Sequence, residues 1–479
     1  MPHHYRQLAI AVMLATTLFL PTLLPSAQAE PGHSAVALGL TWSTVFPTGY
    51  QLYTVGKTRD NGLVAAGLGF YGGGYVAKLD VLGRQEWSRE YSFSRYGFVR
   101  VYSIEQTRDG GFILAGQANP FGNSPNTNDL TDGWILKLDM HGMMEWGRTI
   151  GSPGGQGLGT VTQTSDGGYV ASGTINGFLG PNDSSDAWLV RFDSSGNVLW
   201  QHAYGGLGRS DANSVQETLD NTGFIVAGDT VAANAEAAWV FKTDNLGNLV
   251  WERVYLVTAD EHVHWIRDTS DGGYMLWSDV VIKDDEIGYP GIPCRLRACS
   301  LILRLNPSGD ILWQKLYYSV YVSSIEETRD GGFIEAGGSS NAGLLIKLDG
   351  SGNTLWQKSY PGLSFSIALE TTNGDFAVLG HDYQLGYQST IVRTNDQGNI
   401  RDCTASLPFN ATVKSDFSIT TLSETGTING SSSANVLAPV MSLRNDSILL
   451  LIQCDDQNDR NMSRFSIPLW FDLPKVFQR

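Results

Sequence analysis

Two histidines separated by a single residue are the first feature of this sequence that could perform chemistry. They lie in the stretch DEHVHW, in which His262 and His264 follow Asp260 and Glu261. Side chains two residues apart on an extended strand project from the same face, so both imidazoles could bind one metal ion beside a carboxylate. The same residues equally suit a polar strand at a blade entry. A weak metal site at His262 and His264 and a purely structural role therefore both stay open.

Two long insertions carry further polar and aromatic groups. The first, KDDEIGYPGIPCRLRAC at 283–299, begins with Asp284 and Asp285 and contains Tyr289. Such an acidic and aromatic loop, closed by a short disulfide, would form a rigid projection suited to binding a partner. The second covers 119–134 and is rich in Asn and Asp, whose oxygens suit calcium. It lacks the spacing of an EF-hand, so we predict no cofactor and keep calcium as an alternative.

Motifs of nucleophilic or metal-dependent hydrolysis are absent from the sequence. It contains no GxSxG, no HExxH and no glycine-rich phosphate loop. Glycoside chemistry needs only two carboxylates about 5–10 Å apart, a distance that a sequence does not reveal. We therefore predict no catalytic residue, and we keep a polysaccharide-active glycosidase or lyase, with acids in a central funnel, as the alternative.

The candidate groups lie within a repeat that occupies most of the chain. Each copy contains an apolar run, a turn close to Thr-x-Asp-Gly-Gly, a run such as FILAG, a run such as WILKLD, and a run that contains Trp. The Asp-Gly-Gly and Asp-x-x-Gly-Asn turns predict hairpins, because Gly and Asn accept positive φ at low cost. Four antiparallel strands about every 50 residues indicate a blade of a β-propeller. In six copies an Asp or Asn stands seven residues before the Trp, and these are Trp87, Trp146, Trp200, Trp251, Trp313 and Trp356.

The seventh copy ends without its Trp, because Asp402 stands in that place. Near the N-terminus, TWSTVFP places Trp42 four residues before an aromatic residue and Pro, as LWQKSYP does in the sixth copy. We therefore predict an all-β, seven-bladed propeller of four-stranded blades, whose ring is closed by an N-terminal strand at Trp42 that joins the seventh repeat. Closure removes two free sheet edges. The seven Trp side chains are predicted to be buried between blades.

The strand order predicts two unlike faces. The Asp-Gly-Gly and Asp-x-x-Gly-Asn turns are short and similar in every copy, and they share one face. The loops between second and third strands, together with the links between blades, share the other face and vary in length. Variation confined to one face is typical of a binding surface. We therefore place ligand binding there, with the acids, histidines and Tyr289 named above as candidates.

The two ends of the chain predict export and an added segment. Residues 1–29 contain Arg6, a long apolar run and an Ala-Gln-Ala cleavage site, which together are typical of a secretory signal peptide. We predict a propeller over 30–402 and a C-terminal β-rich extension with a tail over 403–479. No span of a membrane is predicted after signal removal. The protein is therefore expected to be secreted or extracytoplasmic, with association at the cell surface as a further option.

Charge and cysteine content agree with an exported protein. The formal net charge of −16 lacks the basic footprint of a nucleic-acid binder. Four cysteines allow three disulfide connectivities in an oxidising compartment. We predict the pairs that are closest in sequence, which are Cys294 with Cys299 and Cys403 with Cys454.

The repeats, of which VTQTSDGGYVASG and DAWLVRFDSSGNVLWQHAYGG are one copy, resemble a known pattern. They are similar to the tandem QTSDGGYIVAG…DxWLLKLDxxGNxxWxKxYGG repeats of exported bacterial and archaeal proteins, and in pattern to the delta-60 repeat. The third and fourth runs also resemble those of quinoprotein-like propellers. The resemblance covers about 35–402 and implies a secreted or surface propeller without a specific activity. We therefore expect a non-enzymatic scaffold that binds protein or polysaccharide, with a purely structural surface protein as a further alternative.

Overall fold

Every regular element in the described part of the protein is a β-strand. The computed structural model describes the following residues: 41–92, 98–119, 131–151, 155–175, 185–205, 209–232, 235–256, 260–281, 299–318, 320–339, 342–383, 386–400 and seven short strands between 407 and 453. The predicted signal peptide lies outside these ranges. Within them, no helix has the length and apolar character needed to cross a membrane.

Twenty-eight strands form a ring of blades. They are β1 (Trp42–Val45), β2 (Gln51–Lys57), β3 (Leu63–Leu68), β4 (Gly74–Leu79), β5 (Gln85–Ser92), β6 (Phe98–Gln106), β7 (Phe112–Asn119), β8 (Asp132–Leu138), β9 (Met144–Gly151), β10 (Gly157–Gln163), β11 (Tyr169–Ile175), β12 (Asp186–Phe192), β13 (Val198–Gly205), β14 (Ser210–Glu217), β15 (Gly223–Ala232), β16 (Ala235–Asp244), β17 (Leu249–Leu256), β18 (Asp260–Asp268), β19 (Tyr274–Val281), β20 (Cys299–Leu305), β21 (Ile311–Tyr318), β22 (Tyr321–Glu327), β23 (Phe333–Ser339), β24 (Ala342–Leu348), β25 (Thr354–Pro361), β26 (Leu363–Glu370), β27 (Phe376–Asp382) and β28 (Gln388–Thr394).

The strands pair as seven antiparallel blades of four, which confirms the predicted propeller. Blades 1 to 6 take four consecutive strands each, from β2–β5 to β22–β25. Blade 7 contains β26, β27, β28 and the N-terminal strand β1. In that blade Trp42 stands opposite Arg393, and Val45 stands opposite Thr390. The N-terminal strand therefore closes the ring as the sequence predicts.

The hydrophobic core lies between blades. Each of seven buried clusters combines residues of two neighbouring blades, such as Val240 of blade 4 with Leu276 and Leu303 of blade 5. The inner strands of a blade are covered on both faces, which explains why runs such as FILAG and WILKLD are apolar at nearly every position. One blade alone would leave both its faces exposed, so the blades stabilise one another around the ring.

The Trp of each blade packs on the Asp-x-x-Gly-Asn turn of the next blade. An added Cβ atom on the turn Gly would meet the indole ring in every case, at 2.7 Å for Gly142 and Trp87. Trp42 is 2% exposed and the other six are partly buried, so the predicted burial between blades is complete for Trp42 and partial for the rest. The seven pairs are Trp42 and Gly83, Trp87 and Gly142, Trp146 and Gly196, Trp200 and Gly247, Trp251 and Gly309, Trp313 and Gly352, and Trp356 and Gly398.

A tyrosine four residues after the Trp binds the same turn. The Tyr91 hydroxyl donates to the carbonyl oxygen of Gly142 at 2.6 Å, and Tyr204 and Tyr255 do the same in their blades. Blade 7 has Phe46 in this place, and there the Thr44 hydroxyl donates to the next turn at 2.8 Å. Trp and Tyr at this spacing therefore join blades 1, 3, 4 and 6 to their neighbours, whereas blade 2 has Ile150 in place of the Tyr.

The turn between third and fourth strands uses its acidic residue internally. Asp193 accepts the backbone N–H groups of Ser195 and Asn197, each at 2.8 Å. Gly196 has a φ of 76°, whereas Asn197 does not have a positive φ. The expectation that Gly and Asn both take positive φ is therefore wrong for Asn here. Its side chain instead donates to the second Asp193 oxygen at 2.8 Å.

The Asp-Gly-Gly turn is fixed by a buried cation of the third strand. In blade 2, Lys137 is 1% exposed and lies 2.9 Å from the Asp109 carboxylate. Burial by itself would raise the pKa of Asp109, but hydrogen bonds from Thr107, Lys137 and Gly111 hold that pKa at about 2. Each of the other six blades has an equivalent pair of Asp with Lys or Arg. This explains the basic residue in runs such as WILKLD.

One buried acid departs from the repeat. Glu335 of β23 is 1% exposed, at the position that Leu114 and Leu276 occupy in other blades. Burial raises the pKa of Glu335 from 4.5 to about 8, and the Tyr317 hydroxyl and the Lys315 charge offset only part of this effect. The folded state therefore favours the protonated carboxyl. Stability that depends on this group is complete below about pH 4.5 and is lost as the pH rises through 8.

Glu335→Leu is expected to stabilise the fold above neutral pH. The gain in free energy of unfolding grows as the pH approaches 8 and is on the order of 3 kcal/mol. Urea unfolding of parent and variant at a series of pH values measures it. Glu335→Gln is the control, because it removes the ionisation and keeps a polar group. A constant difference between Glu335→Leu and parent across pH 5 to about 9 would contradict the assignment.

The C-terminal extension adds a fifth strand to every blade. Its strands pair antiparallel with the fourth strands of blades 6, 5, 4, 3, 2, 1 and 7, in that order. We call these seven strands the outer belt. They are β29 (Leu407–Pro408), β30 (Thr412–Lys414), β31 (Thr420–Leu422), β32 (Thr427–Ser431), β33 (Asn435–Leu437), β34 (Ser442–Arg444) and β35 (Leu450–Gln453).

The outer belt follows the ring in reverse chain order. Val413 pairs with Tyr317, and the belt residues that pair with the equivalent positions of blades 4 to 1 follow at intervals of seven or eight. The last belt strand pairs with β1, where Trp42 stands opposite Gln453. The N-terminal strand therefore lies between two partners, β28 and β35, and is not a sheet edge.

Candidate functional site

A cavity of about 310 Å³ lies at the centre of the ring. The first strands of all seven blades line it, and we call it the central channel. Thr54, Thr160 and Thr162 contribute hydroxyl groups to its wall. Trp265 and Trp277 of blade 5 contribute aromatic surface. A cavity of this size with both aromatic and polar walls suits a small ligand.

In five of the seven blades a hydroxyl residue stands four residues before the Thr of the turn between first and second strands. The Thr160 oxygen accepts the N–H of Val215 at 3.0 Å, and the Ser324 oxygen accepts the N–H of Ala368 at 3.0 Å. These bonds join neighbouring first strands around the channel. Blades 5 and 7 depart from this pattern and carry Trp265 and Ile367. Two of these seven equivalent positions on the channel wall therefore carry an apolar side chain in place of a hydroxyl.

The residue directly before the turn Thr also joins neighbouring blades. It lies at the end of the first strand that is next to the turn. Gln163 accepts the N–H of Arg108 at 2.8 Å, and Glu327 accepts the N–H of Ser270 at 2.7 Å. Blade 1 carries Lys57 in this place. Its ammonium group lies 2.5 Å from Glu326 and so joins blade 1 to blade 6.

Two carboxylates, those of Glu105 and Glu326, lie in the channel. Desolvation raises the pKa of Glu105, and bonds from Thr162 and the Gln163 N–H offset part of this effect. Desolvation also raises the pKa of Glu326, offset in part by Lys57 and Arg267. Both acids are therefore biased toward the protonated form and both are held by neighbours.

Arg267 is the charged group of the channel that stays without a partner. Its guanidinium group lies 4.8 Å from the centre of the Trp265 ring. It forms no hydrogen bond or ion pair with any residue that the structure describes. Desolvation lowers the pKa of Arg267, and the charges of Glu326 and Glu105 offset only part of this effect.

A β-bulge occurs at the same position in every first strand, at the end nearer the variable loops. The strand register shifts by one residue there in each blade. Bulges redirect side chains and are frequent next to functional sites. The extra residues are Tyr53, Tyr102, Gly159, Asn213, His264, Ser323 and Ser366.

The bulge gives His262 and His264 different partners. His262 Nδ1 lies 3.2 Å from Glu236 of blade 4. His264 Nε2 lies 2.9 Å from Asp279 of its own blade, and this bond raises the pKa of His264 against the lowering effect of burial. The alternation that placed both imidazoles beside one metal ion is interrupted by the extra residue. Among the described residues, no group of three or more His, Cys, Asp or Glu is arranged to hold a metal ion.

A buried carboxylate lies beneath these histidines. Asp229 is 6% exposed, accepts the Val263 N–H at 2.6 Å and lies 4.0 Å from His262. Burial raises the pKa of Asp229 to about 6, although the Val263 N–H and the His262 charge lower it. The Asp229 carboxyl therefore changes its protonation close to pH 6.

Several candidates from the sequence are only partly placed. The backbones of Asp260 and Glu261 pair with β19. Cys299 begins β20 and is fully buried. The other residues named for the insertion and for the disulfides lie outside the described residues, so both disulfide pairs and the binding role of the insertion stay predictions. They are Asp284, Asp285, Tyr289, Cys294, Cys403 and Cys454.

Four exposed aromatic side chains were missed at the sequence level. Phe70 and Tyr71 lie in the second-to-third loop of blade 1, and Tyr383 and Tyr387 lie in that of blade 7. Their exposed fractions are 60%, 58%, 43% and 59%. We call these four residues the aromatic patch. Aromatic residues next to glycines, as in FYGGG and YQLGY, were the available signal.

The two halves of the aromatic patch lie on adjacent blades. Phe70 packs at 6.4 Å from Tyr50 in the link that leads from blade 7 to blade 1. Gln388, next to Tyr387, donates to Thr48 of the same link at 2.6 Å. The patch therefore lies where the ring closes, on the face that carries the variable loops.

Comparison with known proteins adds little beyond the fold. No protein-family model matches the sequence, and no curated protein matches it. The kinship with one exported repeat family therefore stays a prediction. Among solved structures, YCF48 bound to D1 peptide is 13% identical over 74% of this chain and 94% of that chain, with a TM-score of 0.45.

Two further solved structures are similar at the same level. Hydrazine synthase of Kuenenia stuttgartiensis is 10% identical over 73% of this chain and 99% of that chain, with a TM-score of 0.46. Sqt1 from Chaetomium thermophilum is 8% identical over 72% of this chain and 96% of that chain, with a TM-score of 0.38. At these values the likeness carries no information about function.

Proposed function

We propose that this protein is a non-enzymatic scaffold that binds a protein partner on the face of the variable loops. The aromatic patch is the observation that carries the proposal. Tyr and Phe are enriched at the centres of protein interfaces, where they bury large area at low entropic cost. Four such side chains on adjacent loops form a ready set of anchors.

The opposite face supports the proposal by contrast. Its turns are held by internal hydrogen bonds, such as those of Asp193, and by ion pairs such as Lys137 with Asp109. Bonds between neighbouring turns, including Arg59 to the carbonyl of Arg108 at 2.6 Å, connect the blades there. This face therefore acts as a rigid frame for the loops on the other side.

Tyr387 is fixed in an unusual backbone conformation. Its φ is 67°, which L residues other than Gly, Asn and Asp rarely adopt. Its N–H donates to the carbonyl of Asp382 at 2.8 Å, and its ring stacks on His381 at 5.0 Å. Such strain costs about 1–3 kcal/mol and is concentrated at functional positions. A preorganised Tyr387 loses little freedom when a partner binds.

The test selects peptides from a random library on the full chain and measures their affinity. Tyr387→Ala is expected to weaken a selected peptide by about ten-fold or more. Leu246→Ala is the matched control, because Leu246 is 68% exposed on the opposite face. Equal affinity for the Tyr387→Ala variant and the parent would place binding elsewhere. Binding of polysaccharides but of no peptide would favour the other class of partner.

The enzymatic alternative is supported by the raised pKa values of Glu105 and Glu326. Acids biased toward protonation are typical of general acid catalysts. Release of reducing ends from a polysaccharide panel, lost in Glu326→Gln and Glu105→Gln, would establish an enzyme. No release from any polysaccharide by the parent would leave the scaffold as the better account.

The N-terminal segment supports a secreted or surface location for the scaffold. Residues 1–29 have the composition of a signal peptide, and the net charge of −16 keeps an exported chain soluble. N-terminal sequencing of the protein recovered outside the cytoplasm tests this. A mature chain that begins at Glu30 is expected, and an intact Met1 would contradict export by this route.

A further inference from the structure

The first strand of blade 5 departs from the repeat more than any other first strand. His264 occupies its bulge, Trp265 replaces the hydroxyl residue, and Asp268 replaces a Gln or Glu that joins blades elsewhere. Arg267 lies between the last two. Where one copy of a repeat lacks the side chain that joins blades in the other copies, the residue in its place can serve another function, such as ligand binding. These departures all lie on one strand that lines the central channel.

The replaced residues do not restore the contacts that they remove. Trp265 has no oxygen with which to join the neighbouring strand. Asp268 is one carbon shorter than Glu, and its Oδ1 atom is buried without a hydrogen-bond partner among the described residues. Two of the bonds that connect blades are therefore given up at this point of the ring, and the channel acquires an aromatic ring and a cation in exchange.

Arg267 presents donors that the protein does not use. A guanidinium group has five N–H donors in a planar fork. In this channel it stacks on Trp265, yet no described residue accepts a hydrogen bond from it. A charged group that is partly withdrawn from water and left without an acceptor is costly. The neighbouring Glu326 compensates the Arg267 charge only in part, and its carboxylate is also held by Lys57 at 2.5 Å.

We propose that the central channel binds a small monocarboxylic acid with an apolar portion, held by Arg267. A carboxylate matches the planar guanidinium fork with two parallel hydrogen bonds. Trp265, Trp277 and Ile367 form the wall that the apolar portion contacts. The cavity of about 310 Å³ is at the lower end of the range for ligand pockets.

The remaining charges of the channel set the class of anion. Glu105 and Glu326 place negative charge near Arg267 whenever they are ionised. They disfavour an anion with two or more charges, such as phosphate, more strongly than an anion with one. The site is therefore selective for a single carboxylate. It is separate from the aromatic patch, and the proposal does not depend on the proposed protein partner.

The experiment is calorimetric titration of the full chain with benzoate, phenylacetate, acetate and inorganic phosphate. Benzoate or phenylacetate is expected to bind with one site per chain and more tightly than acetate, because only the former contact the tryptophans. Arg267→Gln is expected to weaken the binding by about ten-fold or more. Arg267→Lys keeps the charge without the planar fork and is expected to fall between the two.

The matched control is Arg253→Gln. Arg253 also stacks on a tryptophan, at 5.8 Å from Trp251, but it lies outside the channel. Its substitution is expected to leave carboxylate affinity unchanged. Thermal unfolding of each variant without ligand shows whether it is folded, and Trp265→Ala provides a second reading of the same site if Arg267→Gln is unstable. Three outcomes would overturn the proposal. A folded Arg267 or Trp265 variant could retain the affinity of the parent. The parent could bind phosphate more tightly than any carboxylate, or bind no carboxylate at all.

Discussion

A chain that ends at residue 402 is expected to unfold at a markedly lower urea concentration than the full chain and to aggregate on heating. The deletion removes the outer belt, which pairs with the fourth strand of all seven blades. Those strands then become seven unpaired edges, which are templates for association with other chains. It also removes β35 and leaves the four-residue strand β1 with one partner in place of two. The expected loss in free energy of unfolding is about 5 kcal/mol, which is net of the entropy of ordering the belt.

A single substitution within the full chain separates the effect of lost strand pairing from the effect of removing the whole C-terminal segment. Ile428 of β32 pairs with Tyr204 of β13. Ile428→Pro removes a backbone donor from the ladder, whereas Ile428→Thr keeps the donor and a β-branched side chain. Urea midpoints and light scattering should rank parent and Thr variant together and the Pro variant below them. A truncated chain as stable and as monodisperse as the full chain would mean that the belt contributes nothing to the ring.

Gly142→Ala is expected to lower the free energy of unfolding by about 3 kcal/mol or more. Gly142 has a φ of 75°, and a Cβ atom there would lie 2.7 Å from the Trp87 ring of the preceding blade. The substitution therefore adds the cost of a left-handed Ala, about 1 kcal/mol, to the cost of displacing a packed indole. Each junction between two blades contains one such pair, so this single substitution weakens the contact between blades 1 and 2.

The same blade offers a matched control for this substitution. Gly110 has a φ of 87° and open space within 4 Å of its Cβ position. Gly110→Ala therefore carries the backbone cost without the collision. Chemical unfolding of both variants gives the contribution of the indole contact as their difference. Equal destabilisation of the two variants would show that the junction adapts to the added methyl group at no cost.

The ring could be predicted from the sequence because its signals are local and repeated. Six Trp residues at a constant distance from Asp or Asn identify the blades, and Trp42 identifies the strand that closes them. The outer belt carries a weaker signal of another kind. Its residues Val413, Thr421, Ile428, Val436 and Leu443 recur at intervals of seven or eight, with no turn motif to mark them. Only their pairing partners, more than 90 residues away in the chain, reveal what this spacing means.

The sequence placed ligand binding on the face of the variable loops, and that placement stays a prediction. The stretch at His262 and His264 directed attention to blade 5, where the channel departs from the repeat. Alternation by two failed as a guide because the bulge at His264 adds one residue to the strand. Arg267 was missed because the residue type at its position varies among the copies, with Glu in only two of the seven, so no pattern marked it until the channel brought these positions together.

Because of the path of the outer belt, the N-terminal strand β1 gains its second partner only after β35, near the C-terminus, has been synthesised. The strand at Trp42 leaves the ribosome about 350 residues before its partner Arg393 and still earlier than Gln453, its partner on the other side. Non-local pairings of this kind form late and slowly. Every interrupted or clipped product therefore retains open edges, while a complete one has none on its fourth strands. Proteases and chaperones that recognise exposed strands would therefore distinguish incomplete chains, whose fourth strands are unpaired, from complete ones.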